Sequence, residues 1–431
     1  MLTHLKLHNV GPSSDMELEF GERLNLITGD NGLGKSFLLD IAWWSMTRKW
    51  PAQINPSLSS GLMAKPRGSG AASLEFTFTA KSRTFCYVST FDRKAQGWTG
   101  KAGRPANPGL VLYAQVDGSF SVWDPARNYW HQSGKIDVQD RPSAYVFTPR
   151  EVWDGLRDEE RGLMCNGLIA DWAGWQKENS QPFRSLCAVL KELSPSAEEP
   201  VMPAELTRIS LDDPRDIPTL KMPYGQSVPV VHASAGIRRI IALAYLLVWS
   251  WEEHQKASAL LDQPATTQIV FLVDEIEAHL HPKWQRRIVG ALLGVMKTLT
   301  SNAEVQLITA THSPVVMASV EPSFDSDKDA WFDLDLVVDE HQNAEVGLVK
   351  RPFIRRGDVL NWLTSEAFDL SSTRSFEAET VLEEAAIALS DENFDAEKAR
   401  ALDAQLREVL GDTDRFWMRW RFVAEKKGWL S

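Results

Sequence analysis

Apolar residues alternate with polar ones near the start of the chain and then occur in unbroken runs. The alternating segments 2–10 and 15–20 predict two strands joined by a short turn, and 72–80 predicts a further strand. The apolar run within 23–29 predicts a buried strand, because a strand covered on both faces lacks polar alternation. Helical apolar spacing over 35–46 completes a strand–loop–helix unit.

A β-hairpin is predicted further along. Segments 109–116 and 119–125 flank Asp117 and Gly118, a dipeptide typical of hairpin turns. We therefore expect residues 70–125 to form an antiparallel β layer beside the strand–loop–helix unit.

Helical patterns dominate the rest of the chain. Residues 151–195 are predicted to be helical, the polar, proline-marked stretch 196–230 is predicted to be a linker, and the chain after 355 is mainly helical. The other predicted elements are a long helix from 235, a strand over 268–274, a helix over 283–299, a strand over 304–310 and a short helix from 314. The expected domain divisions are 1–150, 151–230, 231–354 and 355–431.

Composition narrows the class of protein. With 431 residues, 43% hydrophobic and 24% charged, the chain can bury a sizeable core in two or three domains or one large split domain. It has no apolar run of about 18 residues and no charged-then-apolar start, so we expect no membrane span, no signal segment and a cytoplasmic location. Cys86, Cys165 and Cys187 lack metal-ligand spacing and are expected to be reduced thiols. The net charge of −12 argues against a DNA-neutralising surface over the whole molecule, but not against a local basic patch.

Residues 29–36 read G-x-x-x-x-G-K-S between the predicted buried strand and helix. Such a loop turns backbone N–H groups towards phosphate oxygens, and the helix N-terminus adds positive potential. Lys35 is expected to contact the β- and γ-phosphates of ATP, and the Ser36 hydroxyl to hold Mg²⁺. The alternative is a chance match in a glycine-rich turn. The candidate nucleotide-binding residues are Gly29, Asp30, Asn31, Gly32, Leu33, Gly34, Lys35, Ser36 and Phe37.

The strand predicted over 268–274 ends in two carboxylates, Asp274 and Glu275. Carboxylates at the end of a buried strand are costly unless they meet a cation. We expect Asp274 to hold Mg²⁺ through its water shell, and Glu275 to accept a proton from the attacking water. The alternative is an acidic pair that only stabilises a helix N-terminus.

Two further segments are candidates for binding phosphate or another anion. His312 follows the strand predicted over 304–310 and is a candidate catalytic residue, although a lone histidine is commonly a satisfied core residue. Ser234, Ala235 and Gly236 precede the long helix and would give it an anion-binding N-terminus. The alternative for this second segment is an ordinary N-cap.

In this order along the chain, the four motifs resemble the ABC-type ATPase heads of the RecF and SMC group. "GDNGLGKS" is similar to that group's G-x-N-G-x-G-K-S loop, and "DEIEAHLHPKWQ" resembles the D-E-P-E-x-H-L-H-P run of the overcoming-lysogenization-defect (OLD) and related ATPases. "ATHSP" resembles their switch histidine segment. The resemblance covers residues 1–45 and 231–320, and the sequence departs from the group's pattern at Ala233, Ile237 and Ile276.

The resemblance implies an α/β fold, namely an ABC-type P-loop ATPase head with an added antiparallel β layer, a helical insertion and a mainly helical C-terminal tail. It also implies a homodimer or higher homo-oligomer, in which Ser234 and Gly236 of one head contact ATP held by the other. Gln115 is a candidate for the Q-loop glutamine of such heads. OLD relatives carry a nuclease, but Asp333 and Asp335 lie in an alternating run and are expected to face solvent, so we expect no built-in nuclease.

Two functions remain open. The tail resembles stand-alone ATPases of bacterial anti-phage systems that work beside a separately encoded nuclease, as in Septu-type and retron-associated pairs. This resemblance implies an effector partner, and the alternative is a RecF-like, ATP-dependent DNA-binding clamp for which residues 350–356 offer a short basic run. The aromatic–basic end of the tail is expected either to dock a partner or to brace the head. Its residues are Phe416, Trp417, Arg419, Trp420 and Arg421.

Overall fold

The computed structural model describes residues 1–80, 83–100, 106–128, 142–338, 344–391 and 393–429. The chain divides into two compact units, Met1–Val359 and Leu360–Ser431. The predicted α/β fold is confirmed, because the first unit combines β-sheets with helices and the second unit is helical. Residues 81–82 and 101–105 of the predicted antiparallel layer lie outside the described residues.

Strands and helices are numbered in chain order. The strands are β1 (Leu2–Val10), β2 (Ser13–Glu19), β3 (Leu24–Gly29), β4 (Ser73–Ala80), β5 (Arg83–Asp92), β6 (Gly97–Trp98), β7 (Leu110–Ala114), β8 (Phe120–Trp123), β9 (Tyr145–Phe147), β10 (Leu156–Asp158), β11 (Gly162–Cys165), β12 (Met202–Thr207), β13 (Ile217–Lys221), β14 (Ser227–Pro229), β15 (Gln268–Val273), β16 (Glu304–Ala310), β17 (Asp329–Val338) and β18 (Ala344–Arg351). The helices are α1 (Lys35–Thr47), α2 (Pro51–Ile54), α3 (Pro149–Asp154), α4 (Leu168–Lys177), α5 (Gln181–Glu192), α6 (Ala235–Leu260), α7 (Pro282–Gln285), α8 (Ile288–Leu299), α9 (Pro314–Val320), α10 (Val359–Leu363), α11 (Phe376–Ser390), α12 (Ala396–Val409) and α13 (Phe416–Lys426).

A central sheet of eight strands organises the first unit, in the spatial order β18-β17-β3-β16-β15-β7-β8-β9. The five middle strands, from β17 to β7, run parallel to one another. Strands β3 and β15 are buried at nearly every position, which explains their unbroken apolar runs. Because β3, β15 and β16 are parallel, their carboxyl ends meet at one edge of the sheet, where ligands bind in open α/β sheets.

A second, antiparallel sheet has the order β2-β1-β4-β5-β6. It shares a hydrophobic core with α1, in which Trp44 and Phe76 contact each other edge to face with ring centroids 5.9 Å apart. The predicted β layer is therefore correct for β4 to β6 but wrong for β7 and β8, which belong to the central sheet. The hairpin at Asp117 and Gly118 does form, but β7 also pairs in parallel with β15, a long-range contact that a local turn signal cannot predict.

The insertion before α6 differs from the prediction. Helix α3 ends at Asp154, because Gly155 has a φ of 102°, and the hairpin β10–β11 follows where a helix was expected. Residues 196–230 form the three-stranded sheet β12-β13-β14 rather than a linker. Its middle strand buries Ile217 and Leu220, whereas the residues of β12 are exposed or half-buried, which gave the segment its polar appearance.

Two smaller predictions were also wrong. The helix expected over 283–299 is divided into α7 and α8. Asp333, expected to face solvent, is buried in β17, where the Thr28 hydroxyl donates a hydrogen bond of 2.8 Å to it and Arg351 pairs with it at 3.1 Å. This burial arises because the first half of β17 pairs with β3 inside the sheet, whereas Asp335 lies beyond that region and is exposed as predicted.

The second unit has a core between α11, α12 and α13. Trp417 and Trp420 belong to this core and are 6% and 0% exposed, so these two tryptophans are structural rather than surface residues of the unit. Across both units, none of the described helices combines the length and apolar character that a membrane span requires.

Candidate functional site

The glycine-rich loop lies between β3 and α1. Gly29 has a φ of 127°, and a β-carbon there would lie 2.3 Å from the carbonyl oxygen of Leu334 in β17. Only glycine therefore fits where the loop leaves the sheet. Leu33 is buried and anchors the loop in the core, and the following Gly34 has a φ of 104° immediately before α1. The exposed residues of the loop are Asp30, Asn31 and Gly32.

Lys35 points back over this loop. Its Nζ donates hydrogen bonds of 2.8 Å to the carbonyl of Gly29 and 2.7 Å to that of Asp30. Burial lowers the pKa of Lys35, while the negative charges of Asp274 and Glu275 oppose that shift. The ammonium is thus held beside the loop and near two carboxylates.

Phe37 was predicted to bind nucleotide, and the structure limits how it can do so. Its ring packs against the turn between β1 and β2, where a β-carbon on Gly11 would lie 2.3 Å from the Phe37 Cε1. The Phe37 side chain is therefore part of the packing around the glycine-rich loop, which leaves the backbone N–H of Phe37, in the first turn of α1, as its group that can face a phosphate.

Asp274 lies directly after β15 and is 2% exposed. Burial raises the pKa of this carboxyl, and hydrogen bonding by Ser36 lowers it. Asp274 Oδ1 is buried without a hydrogen-bond partner among the described residues. A buried carboxylate oxygen without a donor is costly, and Mg²⁺ with its water shell is the kind of ligand that would satisfy it. The donor set of Ser36 and Asp274 therefore fits Mg²⁺.

Glu275 has an unusual backbone conformation. Its φ of 45° lies in the left-handed region, which for a residue other than glycine costs on the order of 1 kcal/mol and is concentrated at functional sites. Its carbonyl accepts hydrogen bonds from the Ala278 N–H at 2.9 Å and from Arg239 Nη2 at 3.2 Å. The half-buried side chain of Glu275 is thus carried on a bent segment at the end of β15.

His312 follows β16 and is half-buried. Burial lowers the pKa of its imidazole, and the charge of Lys35 lowers it further. Its backbone N–H donates to the carboxylate of Glu277, which also accepts a 2.7 Å hydrogen bond from the Thr311 hydroxyl. Glu277 therefore connects the segment after β15 with the segment after β16.

The serine–glycine segment begins α6. Ser234 is its N-cap, with the hydroxyl accepting a 3.4 Å hydrogen bond from the Ile237 N–H. A β-carbon on Gly236 would lie 2.4 Å from the carbonyl oxygen of His279, so the start of α6 packs closely on the loop that follows the acidic pair. Ser234 and Ala235 are exposed. This helix start is available to an external anion.

The Q-loop candidate Gln115 lies directly after β7, in the strand next to β15. Its side chain is buried, donates to the Ser60 hydroxyl at 3.0 Å and accepts from the Ser119 hydroxyl at 2.7 Å. Gln115 lies beside β15, the strand that ends in the acidic pair, which is compatible with the role of a Q-loop glutamine. Its side-chain amide, however, is hydrogen-bonded to other residues of the protein.

Two residues of this site were not singled out from the sequence. Glu277 belongs to the matched "DEIE" run, so a third carboxylate two residues after Glu275 was a usable signal. Arg239, on α6, donates 2.9 Å hydrogen bonds to the carbonyls of Val116 and Asp274. Nothing in an apolar helix pattern distinguishes this arginine from its neighbour Arg238, because its role depends on the approach of three distant segments.

The chain is similar to several known proteins. The Septu protein PtuA of Bacillus thuringiensis is 21% identical over 387 residues, 87% of this chain and 86% of that protein. The Retron Ec83 probable ATPase of Escherichia coli is 27% identical over 161 residues, 37% of this chain but only 26% of the relative. For the Retron Vc95 probable ATPase of Vibrio cholerae serotype O1 biovar El Tor, the identity is 28% over 162 residues, covering 38% and 29% of the two chains. The chain thus spans little more than a quarter of either retron protein.

Among solved structures, the SMC head domain from Thermotoga maritima aligns with 82% of this chain and 99% of that chain, at 15% identity and a TM-score of 0.39. A protein-family model described as "AAA domain, putative AbiEii toxin, Type IV TA system" matches residues 24–318, which include the glycine-rich loop, the acidic pair and His312. Since this match covers well over half of the 431 residues, the chain belongs to that AAA-domain family.

Proposed function

We propose that this protein binds and hydrolyses ATP with Mg²⁺ and that it works in bacterial anti-phage defence. The observation that carries the ATPase proposal is the buried, unpartnered Oδ1 of Asp274 beside Lys35 and Ser36, within the part of the chain that the structure describes. A loop for phosphate and a carboxylate that needs a cation are the two halves of a Mg-ATP site. Membership of an AAA-domain family supports the same assignment.

Each side chain has a separate role in this proposal. Lys35 binds the β- and γ-phosphates, and Ser36 and Asp274 hold Mg²⁺. Bound Mg²⁺ supplies positive charge that offsets the charge of the phosphates. Glu275 accepts the proton of the attacking water, and His312 hydrogen-bonds the γ-phosphate from the end of β16. The lowered pKa of His312 favours a neutral imidazole, which can both donate and accept a hydrogen bond.

Equilibrium binding tests the first half of this function. Titration of the purified chain with a fluorescent ATP analogue should give saturable binding that is displaced by unlabelled Mg-ATP. Absence of binding in the presence of Mg²⁺ would remove the basis for an ATPase.

We further propose that ATP joins two heads through the start of α6. The exposed Ser234 and the first turn of α6 present backbone N–H groups that can satisfy a γ-phosphate held by another copy. Ser234→Arg should therefore abolish ATP-dependent pairing. At protein concentrations too low for pairing, the Kd of a single head for Mg-ATP should stay within about threefold of the parent, because the glycine-rich loop of each head is unchanged. Light scattering coupled to size-exclusion chromatography, with and without Mg-ATP, measures this.

The control for that experiment is Ser258→Ala near the other end of α6, which should pair like the parent. If the parent already forms an oligomer without nucleotide, light scattering cannot detect pairing of the heads, and nucleotide-dependent crosslinking between heads is measured instead. Pairing that depends on ATP and survives Ser234→Arg contradicts the shared site.

The defence role rests on the resemblance to stand-alone ATPases that act with a separate nuclease, and the relatives named as a Septu protein and as retron ATPases support it. In this proposal the ATP state of the head controls an effector nuclease encoded by a neighbouring gene. Affinity purification after co-expression with the neighbouring gene tests it directly. ATP-dependent retention of DNA with no co-purifying partner would favour the DNA-clamp alternative.

The second unit offers a face for such a partner on α13. Met418 and Phe422 lie one helical turn apart and are 75% and 69% exposed. Residues 415–427, which contain α13, also hold five Lys or Arg and one Glu, so an effector segment with apolar and acidic side chains would complement this helix. The double variant Met418→Asp/Phe422→Asp should lose the co-purifying protein and keep ATP binding. Phe376→Asp, which changes another exposed aromatic residue of the same unit, is the matched control, and equal loss in both variants would contradict the assignment to α13.

A further inference from the structure

Arg239 joins three segments that are distant in the sequence. Its Nη1 donates to the Val116 carbonyl, in the turn between β7 and β8, at 2.9 Å. Its Nη2 donates to the carbonyls of Asp274 at 2.9 Å and Glu275 at 3.2 Å. One side chain of the first turns of α6 is therefore bonded to the peptide backbone of the acidic pair.

The guanidinium also has an electrostatic relation to this pair. Burial lowers the pKa of Arg239, and the charges of Asp274, Glu275 and Glu277 oppose that shift. The guanidinium of an arginine nevertheless stays protonated in proteins. A half-buried cation thus lies near the carboxylates while its hydrogen bonds go to carbonyl oxygens, so it offsets their charge without occupying the oxygens needed for Mg²⁺ and water.

The hydrogen bond from Arg239 to the Glu275 carbonyl matters because Glu275 has a left-handed backbone conformation. A left-handed φ at a residue other than glycine persists only when neighbouring contacts hold it. Within the described ranges, two donors hold the Glu275 carbonyl, namely the Ala278 N–H and Arg239 Nη2. The Ala278 bond is local to the turn, so Arg239 is the donor that relates Glu275 to another element.

A cavity of about 260 Å³ lies beside α6 and is lined in part by Arg239 itself. Arg239, Trp153, Leu243 and Leu280 are among its lining residues, and the β7–β8 turn closes another side. Beside this cavity, the start of α6 contacts the acidic-pair segment through the hydrogen bonds of Arg239 and the close approach of Gly236 to the His279 carbonyl.

We propose that Arg239 is a positioning residue, which fixes the Glu275 peptide and transmits displacement of the Ser234 end of α6 to the side chain of Glu275. This inference rests on the proposed ATP hydrolysis and on pairing of heads. When a second head binds at Ser234, the rigid helix carries the movement to Arg239 and so to the peptide of the base. Turnover would then depend on pairing, although Ser234 and Glu275 belong to different elements.

Three variants test the proposal. Arg239→Met keeps the length of the side chain and removes its donors, and Arg239→Lys keeps a charge that can reach fewer carbonyls. Arg127→Met is the matched control, because Arg127 is also partly buried and pairs with Glu253 of α6, remote from the acidic pair. For each protein, Kd for Mg-ATP, ATP-dependent pairing, kcat and the melting temperature are measured.

We expect Arg239→Met to lower kcat by at least about tenfold, with Kd for Mg-ATP within about threefold of the parent and pairing retained. Arg239→Lys should recover part of that kcat, and Arg127→Met should keep the parental kcat even if it melts earlier. A parental kcat in Arg239→Met overturns the inference, as does an equal loss of kcat in Arg127→Met. If Arg239→Met does not fold, Arg239→Lys is the test variant. A parental kcat in Arg239→Lys overturns the inference, and a loss of kcat with unchanged Kd and pairing supports it. A parent that hydrolyses no ATP would instead refute the proposed function.

Discussion

Lys35→Ala is expected to lower the affinity for Mg-ATP by at least about a hundredfold, equivalent to ~2.7 kcal/mol at room temperature. The lost group is a buried ammonium that points over the glycine-rich loop. Its charge-assisted hydrogen bonds to phosphate oxygens are roughly twice as strong as neutral ones. Alanine leaves the glycine backbone of the cradle in place but removes its only lysine. Hydrolysis should fall with binding.

Titration with a fluorescent ATP analogue and displacement by Mg-ATP measures this effect. Lys49→Ala is the matched control, because Lys49 is an exposed lysine just beyond the C-terminal end of α1. Circular dichroism must show that both variants fold like the parent. Parental affinity in Lys35→Ala would exclude the glycine-rich loop as the phosphate site.

Glu275→Gln is expected to keep Mg-ATP binding and to lower single-turnover hydrolysis by at least about a hundredfold, within the range attributed to general-base catalysis. Glutamine has nearly the same shape as glutamate and can orient a water molecule, but its amide cannot accept the proton. Ground-state binding should change little, because phosphate and Mg²⁺ contacts are assigned to Lys35, Ser36 and Asp274. The variant should therefore accumulate the ATP-bound, paired form.

Rapid mixing of excess enzyme with labelled ATP, followed by acid quench, separates this chemical step from product release. Glu252→Gln serves as control, since Glu252 is a half-buried carboxylate on a different element, α6. Hydrolysis at the parental rate in Glu275→Gln would show that another group acts as the base, and Glu277, two residues further along the chain, would be examined next.

Local patterns predicted the parts of the site that depend on local structure. The strand β3, the glycine-rich loop and α1 follow one another without interruption, so the order of apolar residues, glycines and helix spacing was sufficient. The acidic pair could also be predicted from the sequence, because carboxylates at the end of a buried strand need a cation wherever that strand lies in the sheet. Parallel pairing of β15 with β16 then brings the pair and His312 to one edge.

Other features depended on contacts that no local pattern encodes. The apolar run of β7 fits a hairpin and a central strand equally well, and only its pairing with β15 decides between them. Asp333 was expected to face solvent because its neighbours alternate, but its partner across the sheet is Thr28, inside the protein. Arg239 and Glu277 were overlooked because each acts on backbone or side chains that only the folded chain brings near.

Phosphate release from ATP by the purified chain tests the central claim most directly. The rate should be saturable in ATP, depend on Mg²⁺, and fall to background when EDTA removes Mg²⁺ or when Lys35→Ala replaces the parent, since the proposed site needs both the cradle and the cation held by Ser36 and Asp274. A contaminating ATPase is excluded if Lys35→Ala, purified identically, is inactive. A rate in Lys35→Ala equal to that of the parent would contradict the assignment of this site as an ATPase. The same conclusion would follow if the parent binds Mg-ATP but releases no phosphate, both when assayed alone and when assayed together with the product of the neighbouring gene.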